Sequence, residues 1–273
     1  MKKNNHPKIS VVIPLFEPEK KVFEKVKEML GKQTIKADEI IENWNMPEAK
    51  SINTGIRKAK GDIIVVLEQD CVPKTKVWLE KLTTPLKDKN IVGVVSDLTL
   101  PEEQWKKYPF FLRLLIINER GIQHPDCDIR ACAYRKKELI ELGLINENPK
   151  AGADTELYMK LKKIGKIVRA NEIIYHLHNQ KNFKNVLKKI YNYAEGNGKM
   201  VRIYTTKLAL YDIGMRVVRV LPFFGMISII FRFPFKKYFY LFPAYLIIAL
   251  PLIHLINIIG FWKGFFSKKD FFI

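Results

Sequence analysis

Cysteine is scarce in this chain of 273 residues: there are three, Cys71, Cys127 and Cys132, and none forms a C-x-x-C pair. An odd count without zinc spacing argues against a disulfide framework and fits a reducing compartment. Glycine-rich phosphate loops are missing too. Neither G-x-G-x-x-G nor G-x-x-x-x-G-K-S/T occurs, which removes the main support for dinucleotide enzymes and P-loop NTPases. The opening MKKNNHPK has no apolar core, so no signal peptide is expected. Acids are outnumbered, 28 against 47 lysines and arginines, and the formal net charge of +19 implies an anionic partner such as a nucleic acid, a membrane surface or a nucleotide. The lysines are spread along the whole chain with no Arg-rich tract. That distribution favours the membrane, and no nucleic-acid partner is expected. With 48% hydrophobic residues the chain can bury one large core and carry an appendage.

What is present is concentrated in residues 61–73, GDIIVVLEQDCVP. Ile63, Ile64, Val65, Val66 and Leu67 form a β-branched apolar run bounded by Gly61 and Pro73, which predicts a buried strand of a parallel sheet. The run ends in Glu68 and Asp70, at the carboxyl end where ligands of open α/β sheets sit. Hard oxygen ligands in that place suit Mg²⁺ or Mn²⁺ carrying a diphosphate. The alternative is a strand that ends in solvated acids. Upstream, residues 9–14 (ISVVIP) read as a second buried strand, followed by a helix from 18 to 30 that buries Val22, Val26 and Leu30. Ile40 and Ile41 begin a short further strand, and residues 49–61 read as a helix with Ile52, Ile56 and Ala59 toward the sheet. Alternation of strand and helix predicts an α/β fold with a doubly wound, mostly parallel sheet.

Three segments, VVIPLFEPE, A-x-x-x-N-x-G-I-x-x-A-x-G-D-I-I and LEQDCVP, together resemble the family-two glycosyltransferases of GT-A fold, over roughly residues 8 to 180. The resemblance implies an inverting, metal-dependent hexosyltransferase-type domain, taken as 1–200, and the acid-poor apolar remainder, 201–273, is expected to be a helical membrane-anchoring region. It also implies a nucleotide-sugar donor, Mg²⁺ or Mn²⁺, and a place in polysaccharide or glycolipid biosynthesis. By the same resemblance Glu68 and Asp70 are the metal acids of a D-x-D motif, with Glu in the first place. Residues 132–165 are similar to the family's acceptor-side block, whose E-D-x-E-L stands here as Ala153, Asp154, Thr155, Glu156 and Leu157. Asp154 then becomes the catalytic base, and the acid missing at Ala153 bears on acceptor orientation. Asp154 also precedes the periodic Leu157, Leu161 and Ile164, so a helix N-cap is its structural alternative.

In the strand-like KIVRANEIIYHLH, His176 matches a family histidine that completes the metal shell, with His178 as its competitor on the same strand face. Pro14 and Glu17 fall where the family contacts base and ribose. Glu42 stands in for a base-contacting Asp, in a stretch (ENWNMPE) shorter than the family's. Lys50 and Asn53 face the diphosphate, and Gln69 joins Glu68 among the donor contacts. Transfer with inversion needs one carboxylate to take the acceptor proton while the sugar leaves a neutralised diphosphate, and these positions can supply both.

Beyond about residue 200 acids nearly vanish. Residues 239–262 are an uncharged apolar run, long enough at ~1.5 Å per residue to span the hydrocarbon core as a helix. Pro243 and Pro251 weaken a straight helix. Lys236, Lys237, Lys263, Lys268 and Lys269 flank the run on both sides, so the positive-inside rule gives no orientation. Residues 221–235 are shorter and contain Arg232, which reads as an interfacial or re-entrant helix. A buried helical subdomain is the alternative for this whole region. Residues 105–117 read as an acceptor-side lid near lipid or as a core helix, and residues 183–204 as a helix interrupted at Gly196 and Gly198. The expectation is a membrane-associated glycosyltransferase with a cytoplasmic catalytic domain and a lipid-linked acceptor. Two alternatives stand beside it: a binding protein of the same fold without catalysis, suggested by Glu68, Ala153 and the short second strand, and a basic nucleic-acid-binding protein.

Overall fold

The computed structural model describes residues 7–147, 152–177, 182–204 and 210–267, leaving aside the side chains of 210–213. Strand β1 (Ile9–Leu15) is buried along its whole length. Alternation along it sorts its side chains between two layers. Ile9, Val11, Ile13 and Leu15 pack with Phe23, Val26 and Leu30 of α1 (Lys20–Gly31). Strand β2 (Glu39–Trp44) follows and pairs parallel with β1. Val12 packs on the other face with Ile52 and Ile56 of α2 (Glu48–Lys58). The helix lies so close to the sheet that a Cβ at Gly55 would meet the Val12 side chain and stand 2.8 Å from Asn43 Nδ2, which accounts for the glycine in the N-x-G-I segment. Strand β3 (Ile63–Leu67) pairs parallel with β1 on its other side.

Past β3 the simple alternation stops. The chain continues through β4 (Cys71–Pro73), α3 (Trp78–Thr83), β5 (Ile91–Thr99), α4 (Glu102–Lys106), α5 (Phe110–Leu115), β6 (Ala131–Arg135), α6 (Lys136–Glu141), α7 (Ala153–Leu161) and β7 (Lys166–His176). The seven strands form one sheet in the order β2-β1-β3-β6-β5-β7-β4. Pairing is parallel at β1–β2, β1–β3 and β5–β7, and antiparallel at β3–β6, β5–β6 and β4–β7. The sheet is therefore mixed, with β6 and β4 reversed among strands that otherwise run one way. One consequence positions the site: the carboxyl ends of β3 and β7 lie on the same edge.

The chain divides into two compact units, residues 1–99, 122–147 and 153–178 in the first and 100–121, 148–152 and 179–273 in the second. A division at residue 200 would cut through α8 (Phe183–Tyr204), which is a single continuous helix. In the second unit α9 (Leu210–Val218), α10 (Pro222–Ile230) and the helical run α11 (Phe235–Phe266) follow. Trp105, Leu112 and Leu114 are buried there with Ile229, Tyr238, Tyr245 and Ile253, so residues 105–117 supply core helices. Gly198 does not interrupt α8. A Cβ there would collide with the Phe261 carbonyl and approach Phe265 N at 2.8 Å, so the residue permits close packing of α8 on α11. Pro243 and Pro251 each fall in the first turn of a helical segment, where a missing N–H is tolerated, and a π-type turn, Tyr245–Ala249, lies between them. Among the described residues α11 is the one helix long and apolar enough to cross a membrane, with 32 residues and a mean hydropathy of 2.1 in its most apolar 18-residue window.

Candidate active site

At Leu67 the first unit's central strand ends, and the chain turns through Glu68, Gln69 and Asp70, with Cys71 N donating to Glu68 O at 3.1 Å. It re-enters the sheet as β4, which pairs antiparallel with the end of β7 and sets Cys71 opposite His176. Leu177 N donates to Asp70 O at 2.8 Å and fixes the turn from the other side. His176 Nε2 consequently stands 3.6 Å from Asp70 Oδ1 and 3.9 Å from Glu68 Oε2. Ligand atoms of Glu68, Asp70, Cys71 and His176 all lie within 4.8 Å of one another. Two carboxylates and an imidazole fit a hard or borderline divalent cation such as Mg²⁺ or Mn²⁺, with remaining positions left for phosphate and water. Cys71 fits less well: burial, then Glu68 and Asp70, push its thiol well above the usual range, so it stays protonated.

The charge around the cluster is divided. Burial, then the Glu48 carboxyl hydrogen-bonded to it, then Asp70, push the Glu68 carboxyl well above the ordinary carboxylate range. Glu48 comes from the first turn of α2. On the opposite side Arg130 O accepts from Glu68 N at 2.8 Å, and Arg130 Nε donates to Asp128 Oδ1 at 2.9 Å. Burial opposes the Arg130 charge, but Asp128 and Glu68 outweigh it and raise its pKa. Asp128 Oδ1 also accepts from the backbone N of Ile129 and Arg130, while its Oδ2 is buried with no partner among the described residues. Glu48, Asp128 and Arg130 are not expected from the sequence. Their one legible signal is the D-x-R placed just before an apolar strand.

Among the expected donor contacts, Pro14 is buried on β1 opposite Asn43, and Glu17 adopts φ +44° in the loop after β1. Glu42 and Lys50 are exposed, on β2 and α2 respectively. Gln69 and Asn53 each bond to the protein's own backbone. Gln69 Oε1 accepts from Phe16 N at 2.8 Å and its Nε2 donates to Phe16 O at 3.0 Å, so each end of the amide holds the β1–α1 loop and keeps a second N–H and a second lone pair. Asn53 is buried, and its Nδ2 donates to Ile145 O (2.7 Å) and Glu147 Oε1 (2.9 Å) while Oδ1 accepts from Ile145 N (3.1 Å). Both of its N–H groups are thus taken up inside the protein. A polar residue on the buried face of an amphipathic helix is the sequence signal for that structural role. His178 lies outside the described residues.

Asp154 sits in the first turn of α7 and accepts from Thr155 N at 2.7 Å. Ala153 packs in the core layer with Leu157 and Leu161, so an acid there would be buried. Tyr158, one turn beyond Asp154, lines a cavity of about 390 Å³ with Val95, His124, Asp126 and Arg169. Asp97 Oδ1, behind this lining, lies 2.8 Å from His124 Nδ1 and 3.9 Å from Arg169 Nη1, and the lining itself carries both signs of charge in Asp126 and Arg169.

Residues 27–143 match the family model described as Glycosyl transferase family 2, in agreement with the resemblance read from the sequence. No curated protein matches the chain. In structure it is similar to the mannosyltransferase PcManGT from Pyrobaculum calidifontis, solved in complex with GDP-Man and Mn²⁺, at a TM-score of 0.57 and 13% identity over 97% of this chain and 89% of that one. It is also similar to GalNAc-T7 with UDP, GalNAc and Mn²⁺, at a TM-score of 0.52 and 16% identity over 90% of this chain and 59% of that one. At such identities the likeness establishes the fold, which is GT-A-like.

Proposed function

We propose that the protein is a metal-dependent, inverting glycosyltransferase that moves a sugar from a nucleotide-sugar donor to a lipid-linked glycan acceptor, membrane-associated and with its catalytic domain in the cytoplasm. The observation that carries this reading is the convergence of Glu68, Asp70 and His176 on one sheet edge. Both structural neighbours were solved with nucleotide, sugar and Mn²⁺, which supports the same use of this edge. Free, buried Cys71, Cys127 and Cys132 support the reducing compartment. The apolar α11 and the net charge of +19 support the membrane and the lipid-linked acceptor.

Glu68, Asp70 and His176 would hold Mg²⁺ or Mn²⁺, which when bound would supply positive charge to the diphosphate leaving group. Pro14, Glu17, Glu42 and Lys50 flank the donor, and Gln69 keeps the β1–α1 loop in place for it. Arg130 adds a fixed positive charge beside the acids. The acceptor approaches from the cavity at Tyr158, next to Asp154. Asp154 takes the proton of the acceptor hydroxyl, the acceptor oxygen bonds to the anomeric carbon, and the bond to the diphosphate breaks, its electron pair leaving with the nucleoside diphosphate. Nucleotide sugars incubated with the protein, Mn²⁺ and a lipid-linked acceptor should yield nucleoside diphosphate and glycosylated lipid together. Ala153, where the family carries an acid, favours a second reading, a donor-binding protein without turnover; saturable donor binding with no released nucleoside diphosphate would establish it.

A further inference from the structure

We propose that the C-terminal helical unit docks on one leaflet of an anionic bilayer, with α11 lying in the interface and not crossing it. This rests on the membrane association proposed above and concerns its geometry. By length and hydropathy α11 can span, yet only part of its most apolar window, 39%, is buried within the protein, so the helix is neither a core helix nor one free on all sides. Its neighbour decides between spanning and lying flat. A Cβ at Gly260 would stand 2.7 Å from the Tyr191 carbonyl and 2.9 Å from Ala194 Cβ, one at Gly264 would collide with the Glu195 carbonyl, and Gly198 meets Phe261 and Phe265 in the same way. Positions increase together on the two helices, so α8 and α11 run in the same direction with their backbones nearly touching. Val186 shares a cluster with Leu250 and Ile253 and extends the contact toward the start of both.

Any crossing by α11 would therefore carry α8 with it. α8 is no membrane helix: Lys184, Asn185, Lys188, Lys189 and Asn192 are exposed on it, and Lys188 and Lys189, between the levels of Val186 with Ile253 and Tyr191 with Gly260, stand beside the apolar second half of α11. Lysine at mid-bilayer depth, facing lipid, is among the costliest placements a side chain can take. The other face of α11 is different. Ile247, Pro251, Leu255, Ile259, Trp262 and Phe266 are all exposed, and their spacing of four, four, four, three and four makes one stripe along the helix. Phe223, Phe224, Phe231 and Phe239 are exposed in the same unit. Arg232, Lys236, Lys237 and Lys263 sit in sequence beside these apolar residues, and between 210 and 267 Asp212 is the one acid against six Lys and Arg. An apolar stripe bordered by cations, on a helix whose packed partner is polar, is the arrangement of an interfacial helix on an anionic surface.

Single cysteines at Lys236→Cys and Ser267→Cys report the two ends of α11, because the natural cysteines are buried. In the full chain in sealed membrane vesicles, a membrane-impermeant maleimide should label both from the same side. Protection of one end until the vesicle is opened would overturn the proposal and leave membrane association intact. The purified protein should also sediment with phosphatidylcholine vesicles only when phosphatidylglycerol is included, and high salt should weaken that binding. The double variant Leu255→Glu with Ile259→Glu, both on the exposed stripe, should keep its thermal melt and lose about tenfold or more of its vesicle binding. Unchanged binding would remove the stripe as the docking face. Failure of the unmodified protein to bind any vesicle would overturn both this geometry and the membrane association, without touching the donor chemistry, which is assayed separately.

Discussion

Replacing Gln69 by alanine removes two hydrogen bonds, from Phe16 N and to Phe16 O, and touches no metal ligand. The loop it releases has reason to move. Glu17 holds φ +44° there, and a left-handed backbone costs a residue other than glycine roughly 1–2 kcal/mol. Both bonds are partly exposed, so each contributes about 0.5–1 kcal/mol, and their loss frees about 1–2 kcal/mol of loop order. A donor that needs the ordered loop must restore it on binding. Its apparent affinity then falls by the same free energy, about 5- to 30-fold.

The metal cluster should not notice. It is fixed by the pairing of Cys71 with His176 and by the bond from Leu177 N to Asp70 O, neither of which involves the Gln69 side chain. Calorimetry with Mn²⁺ alone, and then with Mn²⁺ and nucleoside diphosphate, separates the two effects. Gln69→Ala should bind Mn²⁺ like the unmodified protein and the nucleotide more weakly, whereas Asp70→Ala should lose Mn²⁺-dependent nucleotide binding altogether. Nucleotide affinity unchanged in Gln69→Ala would refute the positioning role. Mn²⁺ affinity lost in that variant would show that Gln69 belongs to the metal shell.

Asp154→Asn keeps the acceptor for Thr155 N but removes basicity, so transfer should fall about 10²-fold or more while donor affinity holds; near-normal transfer would return Asp154 to a purely structural role. Asn53→Ala leaves the buried N–H and C=O of Ile145 without their partner and should destabilise the sheet unit by about 2–4 kcal/mol in chemical denaturation, with a loss under about 0.5 kcal/mol marking the bonds as dispensable. Glu68 titrates above the unfolded carboxyl value, so the folded protein holds the extra proton and metal-free stability should decline as pH rises toward that raised value. The decline should be smaller in Glu68→Gln and offset by Mn²⁺ in the unmodified protein; identical pH profiles for the two proteins would contradict the shift.

Elements governed by local periodicity were readable before any coordinates. β1, α1, α2 and β3 appear where apolar alternation and helical spacing predict them, because each buries a face defined within a dozen residues. The acids of the cluster with His176 were legible for the same reason: Glu68 and Asp70 terminate a strand whose burial is written in its own composition. What stayed illegible depends on pairing at a distance. β6 enters the sheet antiparallel between β3 and β5, and nothing in residues 131–135 specifies that neighbour. Arg130 and Asp128 reach the acids only because β6 pairs with β3, so their role becomes visible with the sheet order and not earlier.

Gln69 and Asn53 show a second limit, which concerns what a polar side chain does once its place is known. Both bond through each end of the amide to backbone, 53 and 92 positions away in sequence. A motif records that an amide is needed there and cannot say whether a ligand or the protein's own backbone uses it. Glycine carries the same ambiguity. Gly198 on a Lys- and Tyr-rich helix looks like an interruption, yet in the structure the missing Cβ is what lets α8 lie against α11. That one contact also decides how the apolar run should be understood. Read alone, α11 has the length to cross a bilayer; read with α8 packed along it, the same helix has lysines beside its apolar second half, and an interfacial position follows from the cost of burying them.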